Sequence, residues 1–75
     1  MAKTSSIYSR PRQIMAQKLR LARNDVGLTQ LAVANLLNTS QSYVSKVELG
    51  QCRVDAIQLA SLAKIYRKQI QHFLS

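Results

Sequence analysis

The chain contains 75 residues, of which 47% are apolar and 19% are charged, with two Gly, one Pro and one Cys. This length permits one small domain, and so apolar a sequence with so few Pro and Gly residues excludes a disordered linker. Cys52 has no second cysteine to pair with, and with His72 it provides too few ligands for a metal site. No apolar run has the roughly 20 residues of a membrane span, and no signal peptide is expected at the start. We therefore expect a cytoplasmic protein with no metal, no cofactor and no membrane partner.

Positive charge is concentrated toward the ends of the sequence. Eleven Lys and Arg residues stand against three Asp and Glu residues, for a net charge of +8. Residues 1–24 contain six of the cations and no acid, whereas residues 25–60 are nearly neutral. Such an excess favours a polyanionic partner, nucleic acid before an anionic membrane surface, because the sequence has no Trp and one Phe to insert into lipid. The alternative is that the Lys and Arg residues form a solvated surface that only increases solubility.

The first helix is predicted over residues 10–25, where apolar residues recur with the three- and four-residue spacing of an amphipathic helix. Pro11 suits a first helical turn, and Gly27 can adopt the left-handed conformation that ends a helix. Residues 1–8 are polar and basic. We interpret them as a flexible N-terminal arm that precedes a single domain over residues 9–75.

Two short helices follow in close succession. Thr29 is a suitable N-cap for a second helix over residues 30–37, because its hydroxyl can accept hydrogen bonds from first-turn N–H groups. Asn38 tolerates the left-handed conformation at the end of such a helix. Ser40 then caps a third helix over residues 41–49. The sequence thus predicts two helices separated by a tight turn.

The remaining sequence predicts one more helix and a short final segment. Asp55 is the N-cap of the fourth helix, with Gln58 in the position of a capping-box partner. The residues of this helix that face inward are Leu59, Leu62, Ala63 and Tyr66. Residues 70–74 form either a fifth helix or a folded tail. Because no stretch alternates with the period of a strand, the predicted fold is all-α, a compact bundle of four to five short helices.

The second and third helices have the dimensions of a helix-turn-helix. In that motif the second helix of the pair stands out from the body and places polar side chains in the major groove of DNA, while small apolar side chains face inward. The third predicted helix is divided in this way. Its polar side consists of Gln41, Ser42, Ser45 and Lys46, and its apolar side consists of Val44 and Val47.

The segment over residues 29–50 resembles a known family. The residues that carry the resemblance are Thr29, Gln30, Val33, Ala34, Leu37, Asn38, Ser40, Tyr43 or Val44, Ser45, Val47, Glu48 and Gly50. With this spacing they resemble the phage-repressor and Cro-like (XRE-type) helix-turn-helix family. The resemblance implies a lambda-repressor-like fold, with the motif formed by helices 2 and 3, and double-stranded DNA as the partner.

The resemblance also implies particular contacts with DNA. It assigns base reading to Gln41, Ser42 and Lys46, and we add Ser45 on the same side of the helix. Gln can pair with both hydrogen-bonding groups of adenine and Lys can donate to guanine, so the residue types suit this role. The predicted phosphate contacts are Gln30 and Ser40 from the resemblance, Tyr43 and Arg53 near the third helix, and Lys3, Arg10 and Arg12 in the basic first third of the chain.

One predicted pair has a structural role. The family places an Arg late in helix 1 against a Glu late in helix 3, and these positions are Arg23 and Glu48 here. The guanidinium fork suits a partly buried carboxylate. Because Glu48 would repel phosphate if it faced DNA, we interpret it as a salt-bridge partner that holds Arg23.

The sequence also departs from the family pattern. Arg67 occupies a position where many members have a helix-ending Gly, so the fourth helix could continue past it. Three leucines, Leu31, Leu36 and Leu49, take positions that are often polar. Leu31 flanks the DNA-facing side and Leu36 could face solvent, and both of these could equally mark a partner surface. Further apolar residues that look exposed near the C-terminus are Ile57, Ile65, Phe73 and Leu74.

These observations predict a sequence-specific DNA-binding transcriptional regulator. We expect a repressor that binds a pseudo-palindromic operator as a homodimer, with the C-terminal region as the dimer interface. The antitoxin of a toxin–antitoxin pair, which would also bind a toxin protein, is the main alternative, and a controller of restriction–modification genes is a third reading. The three acids, one His and one Cys form no catalytic constellation, so no enzymatic activity is expected.

Overall fold

The computed structural model describes residues 10–74 and places them in five α-helices. In chain order these are α1 (Arg10–Asp25), α2 (Gln30–Leu37), α3 (Gln41–Glu48), α4 (Ala56–Ile65) and α5 (Gln71–Leu74). No strand occurs within the described range, and none of its helices is long and apolar enough to cross a bilayer. The predicted all-α class and helix order are confirmed. The predicted arm over residues 1–8, with Lys3, lies outside the described residues.

Side-chain caps start three of the helices at the predicted positions. Thr29, Ser40 and Asp55 all have extended backbone, and each side-chain oxygen accepts a hydrogen bond from the N–H group three residues later, at 3.0, 3.1 and 2.7 Å respectively. Each cap satisfies one of the four N–H groups that a helix start leaves without a partner. These local contacts fix the start of α2, α3 and α4.

Asn38 makes the sharp turn between α2 and α3. Its backbone is left-handed, with φ 58° and ψ 48°, as the sequence predicted. The N–H of Thr39 donates back to the carbonyl of Ala34 at 2.9 Å, which closes the end of α2. With α2 closed in this way, the chain turns and α3 begins three residues after Asn38.

The end of α4 differs from the expectation that this helix could continue. The helix stops at Ile65, and Arg67 takes the left-handed conformation at φ 60° without being a glycine. The N–H of Lys68 donates to the carbonyl of Ala63 at 2.9 Å, as at a glycine-terminated helix. A left-handed conformation costs a non-glycine residue about 1–2 kcal/mol. Burial of Tyr66 immediately before it, at 1% exposure, offsets that cost.

The core lies between the helices and draws on all five of them. Its buried members are Leu19, Ala22, Val33, Ala34, Val44, Val47, Leu59, Leu62, Ala63, Tyr66 and Phe73. The predicted inward face of α4 is confirmed, but the expectation that Phe73 is surface-exposed is wrong, because α5 folds back onto α1 and buries its ring. A hydrogen bond of 3.3 Å from Lys18 Nζ to the carbonyl of His72 joins these two helices across 54 positions of sequence.

Two leucines of α1 provide a direct test of this packing. Leu19 is 1% exposed and Leu21 is 59% exposed. We expect Leu19→Ala to lower the free energy of unfolding by about 2–5 kcal/mol, because it leaves a cavity in the core. The matched change Leu21→Ala should cost less than about 0.5 kcal/mol. Urea denaturation followed by circular dichroism measures both, and equal losses would contradict the packing described.

Candidate nucleic-acid interface

Helix α3 has one face in the core and one face in solvent. Val44 and Val47 are buried, as is Glu48 at the last position of the helix. On the opposite face Gln41, Ser42 and Lys46 are exposed, and Ser45 is partly exposed. The structure therefore brings all four predicted base-reading residues to one side of one helix.

Two exposed leucines extend this surface with apolar area. Leu49 is 58% exposed and follows Ser42 by seven positions and Lys46 by three, so it continues the solvent face of α3. Leu31, at the start of α2, is 55% exposed beside Gln30. The sequence marked both leucines as departures from a polar pattern. The structure adds that Leu49 lies on the same face as the predicted base-reading residues.

An ion pair fixes α3 against α1. Arg23 donates to both oxygens of Glu48, from Nε to Oε2 at 2.6 Å and from Nη2 to Oε1 at 3.0 Å. The third nitrogen, Nη1, donates to the carbonyl of Leu28 at 2.8 Å. The hydrogen bond to Glu48 raises the pKa of the Arg23 guanidinium above its ordinary value. One side chain thus joins α1, the loop before α2 and the end of α3.

Gln30 adds a second donor to the same carboxylate. Its Nε2 donates to Glu48 Oε1 at 3.0 Å, and its Oε1 lies 3.5 Å from Nε2 of Gln41. Sequence reasoning assigned Gln30 only an outward role at phosphate. A carboxylate has room for about four donors and one Arg fork fills two of the places, but the sequence does not indicate which residue supplies a further donor. One amide hydrogen of Gln30 remains for a further acceptor.

Ser40 and Tyr43 lie at the start of α3, as its N-cap and in its first turn. The Ser40 hydroxyl accepts from the N–H of Tyr43, and its own hydrogen can still be donated outward. The Tyr43 ring packs against the core, and this burial raises the pKa of the phenol above its ordinary value. The hydroxyl therefore stays protonated at neutral pH and is a hydrogen-bond donor. Both groups have the chemistry required of the predicted phosphate contacts.

Arg12 and Arg53 come together although 41 positions separate them. They line one open groove between the start of α1, the loop after α3 and the end of the chain, with Met15 and Val54 among the apolar lining residues. Arg10 is exposed at the start of α1. The structure thus brings Arg12 of α1 and Arg53 of the loop after α3 to one groove, whereas Lys3 lies outside the described residues.

The described residues contain no candidate metal site. Among residues 10–74, no group of three His, Cys, Asp or Glu residues is close enough together to hold a metal ion. Cys52 is a free, half-buried thiol in the loop that follows α3. The surface described above consists instead of neutral amides, hydroxyls, cations and two leucines.

Comparisons with known proteins define the class of this fold and site. The helix-turn-helix domain family matches residues 14–69. The chain is similar to the restriction-modification controller protein C.AhdI from Aeromonas hydrophila, with 30% sequence identity, a TM-score of 0.77, and coverage of 88% of this chain and 98% of that chain. It is also similar to the DNA-binding domain of BldD, with 28% identity, a TM-score of 0.78, and coverage of 89% and 97%. No curated protein sequence matches it.

The chain therefore belongs to the helix-turn-helix domain family. The match covers the motif of α2 and α3 together with most of α1 and all of α4. The resemblance to Cro-like, XRE-type members that the sequence indicated is confirmed.

Tyr66 makes the stability of this arrangement sensitive to alkali. Burial, with a smaller contribution from the Glu48 carboxylate, raises the pKa of the Tyr66 phenol from 10.0 to about 12. The folded protein thus holds this proton more tightly than the unfolded chain. Protonated Tyr66 therefore contributes its full share of the free energy of unfolding below pH 10, and this contribution is lost as the pH approaches about 12. Between pH 10 and about 12 we expect the free energy of unfolding to fall less in Tyr66→Phe than in wild type, because the phenylalanine has no proton to lose. Unfolding titrations of both proteins test this, and parallel pH profiles would contradict it.

Proposed function

We propose that the protein is a cytoplasmic, sequence-specific regulator of transcription that binds double-stranded DNA. The observation that supports this most directly is α3, a helix whose apolar side is buried while Gln41, Ser42 and Lys46 are exposed. A helix of this width fits the major groove of B-DNA. No other described helix combines a buried apolar side with three exposed polar residues within its first six positions.

The side chains of α3 have the donors and acceptors that base edges require. Gln41 can accept from adenine N6 and donate to N7, and Lys46 can donate to the acceptors of guanine. Each good contact of this kind discriminates against a wrong base by about 1–3 kcal/mol. Ser42 and Ser45 are less selective, because a hydroxyl can donate or accept.

Phosphate contacts supply the affinity in this proposal. The backbone N–H groups at the start of α2, beside Gln30, and at the start of α3, beside Ser40, face outward as helix N-termini do and favour an anion. Tyr43 adds a neutral donor, while Arg10, Arg12 and Arg53 add charge. Lys3 belongs to the same proposal through the basic arm. Such contacts set the position of α3 but carry no sequence information.

Dimerisation through the C-terminal region is part of the proposal. One helix-turn-helix covers few base pairs, and two of them related by a two-fold axis would contact half-sites about 34 Å apart. Ile57 is 80% exposed on α4, outside the groove of Arg12 and Arg53, so this helix offers apolar area that a second copy could cover. We propose that the dimer occupies a pseudo-palindromic operator and represses transcription.

A second candidate function follows from the similarity to C.AhdI. That protein is a restriction-modification controller, and the match covers 98% of it at 30% identity. Control of restriction–modification genes is therefore the specific regulatory role that the comparisons favour over an antitoxin role. Adjacent restriction and methyltransferase genes would support this role, whereas a toxin that co-purifies with the chain would favour the antitoxin.

Selection of binding sites from random duplex DNA tests the proposed function. We expect wild type to select a palindromic consensus sequence. Lys46→Ala should select the same consensus with relaxed preference at one position in each half-site, because it removes one base contact. A wild-type pool without any consensus would refute sequence-specific binding, and an unchanged consensus for Lys46→Ala would remove Lys46 from the base-reading set.

The salt dependence of binding tests the phosphate contacts separately. We expect Arg12→Gln and Arg53→Gln each to reduce the slope of log affinity against log salt concentration by about one unit, since each removes one neutralised phosphate. Arg67→Gln is the control, because Arg67 is exposed in the turn after α4, outside both the candidate nucleic-acid interface and the groove that Ile57 lines. Titrations at several salt concentrations measure the slope. If all three variants give the wild-type slope, the assigned arginines do not contact phosphate.

A further inference from the structure

An open groove lies where the end of α3 meets α1. Its lining residues are Gln13, Ala16, Gln17, Arg20, Glu48 and Leu49. Leu49 is 58% exposed and also belongs to the solvent face of α3, so the groove is continuous with the surface that the proposed function assigns to base reading. The groove therefore extends the candidate interface from α3 onto α1.

Gly50 allows the end of α3 to pack directly on α1. Its backbone is left-handed at φ 73°, and a Cβ at this position would lie 3.3 Å from Cγ and 3.4 Å from Cα of Gln13. A residue with a side chain would be strained in this conformation and would have little space there. Gln17 and Arg20 follow Gln13 on the same side of α1, after one and two turns. This close approach places their side chains on the same groove as Leu49.

The groove presents hydrogen-bond donors and positive charge to solvent. Arg20 and Gln17 are exposed, and both side chains carry N–H donors. Glu48 is the one acid among the described lining residues, and its side chain is only 3% exposed. Its carboxylate already accepts from Arg23 and Gln30. The exposed part of the groove is therefore complementary to an anion.

The length of α3 relates this groove to the proposed position of DNA. The eight residues of α3 rise by about 1.5 Å each, or about 12 Å along the helix axis. The major groove of B-DNA is also about 12 Å wide. When α3 lies across the major groove, its two ends approach opposite strands. The starts of α2 and α3 face one backbone in the proposed function, so Leu49 and the adjacent face of α1 approach the other.

We propose that the groove between α1 and the end of α3 binds the sugar–phosphate backbone of DNA, with the Arg20 guanidinium on a phosphate and Leu49 against the neighbouring deoxyribose. This inference rests on the proposed function and adds Arg20, to which the sequence assigned no role. It also explains the leucine at position 49. The sugar is the least polar part of the backbone, so a cation beside an apolar side chain matches one phosphate and its sugar.

Arg20→Gln tests the phosphate contact in the full chain. We expect the slope of log affinity against log salt concentration to fall by about one unit. Duplexes in which one phosphate at a time is replaced by an uncharged methylphosphonate identify the phosphate, as the position where wild type loses affinity and Arg20→Gln does not. Arg12→Gln and Arg53→Gln should keep the wild-type response at that position, because they are assigned to other phosphates. Arg67→Gln is the control for a lost surface charge.

Leu49→Ala tests the contact with the sugar. We expect it to weaken binding by roughly three- to tenfold, because it removes apolar area that the backbone would cover. The factor should be the same on every duplex, and the selected consensus and the salt slope should not change, because every nucleotide has the same sugar. Leu21→Ala is the matched control. Leu21 is 59% exposed on α1, it is not among the lining residues of the groove, and its variant should bind as wild type does.

The two variants together decide the inference. It is supported if Arg20→Gln lowers the salt slope and loses its response at one phosphate while Leu49→Ala weakens binding to all duplexes alike. It is overturned if Arg20→Gln keeps the wild-type slope and the wild-type response at every phosphate, or if Leu49→Ala keeps the wild-type affinity. A consensus that changes at one base pair in Leu49→Ala would also overturn it, since Leu49 would then contact a base. If wild type selects no consensus, the proposed function itself fails, and the two failures are thereby distinguished.

Discussion

The buried carboxylate of Glu48 is the group on which the arrangement of the site depends. A buried ion pair is only weak evidence for stability, because desolvation of the two charges offsets much of their attraction. The effect of the pair of Arg23 and Glu48 here is to hold helices in position. Glu48 accepts from Arg23 on α1 and from Gln30 on α2 while it belongs to α3. Removal of Arg23 would leave the charge of Glu48 without compensation and break the link between α1 and α3, whereas removal of Gln30 would break only the link to α2.

The helix pattern could be predicted from the sequence because its determinants are local. Thr29, Ser40 and Asp55 cap helices through bonds that reach only three residues, and Asn38 takes the left-handed turn that its side chain tolerates. The division of α3 into a polar and an apolar side follows from helical spacing, which a sequence shows directly. These features required no knowledge of how the helices pack.

Other features depend on packing and could not be predicted in this way. Arg67 is left-handed where α4 ends, next to the buried Tyr66, and Phe73 is buried because α5 folds back onto α1. The bond from Gln30 to Glu48 joins residues 18 positions apart. Polar residues do not recur with a period that would indicate such a contact. The sequence therefore identified Gln30 as polar but did not identify Glu48 as its partner.

Affinity and selectivity have separate physical sources in this small domain. Cations such as Arg12 and Arg53 are charged groups that any duplex would attract, and the net charge of +8 increases that attraction. The exposed face of α3 is different, because Gln41 and the two serines are neutral and Lys46 is its only cation. In the proposed function most of the long-range attraction therefore comes from the flanking arginines, and the neutral side chains of α3 contribute selectivity.

The contact between α1 and α5 has a consequence for the rate of folding. Most contacts within the pair of α2 and α3 join residues that are close in sequence, so they cost little chain entropy to form. The bond from Lys18 to His72 spans 54 positions and closes nearly the whole described chain into a loop. Small helical domains with mainly local contacts fold within microseconds to milliseconds. We therefore expect α2 and α3 to assemble before α5 docks on α1, because docking of α5 must close the longer loop.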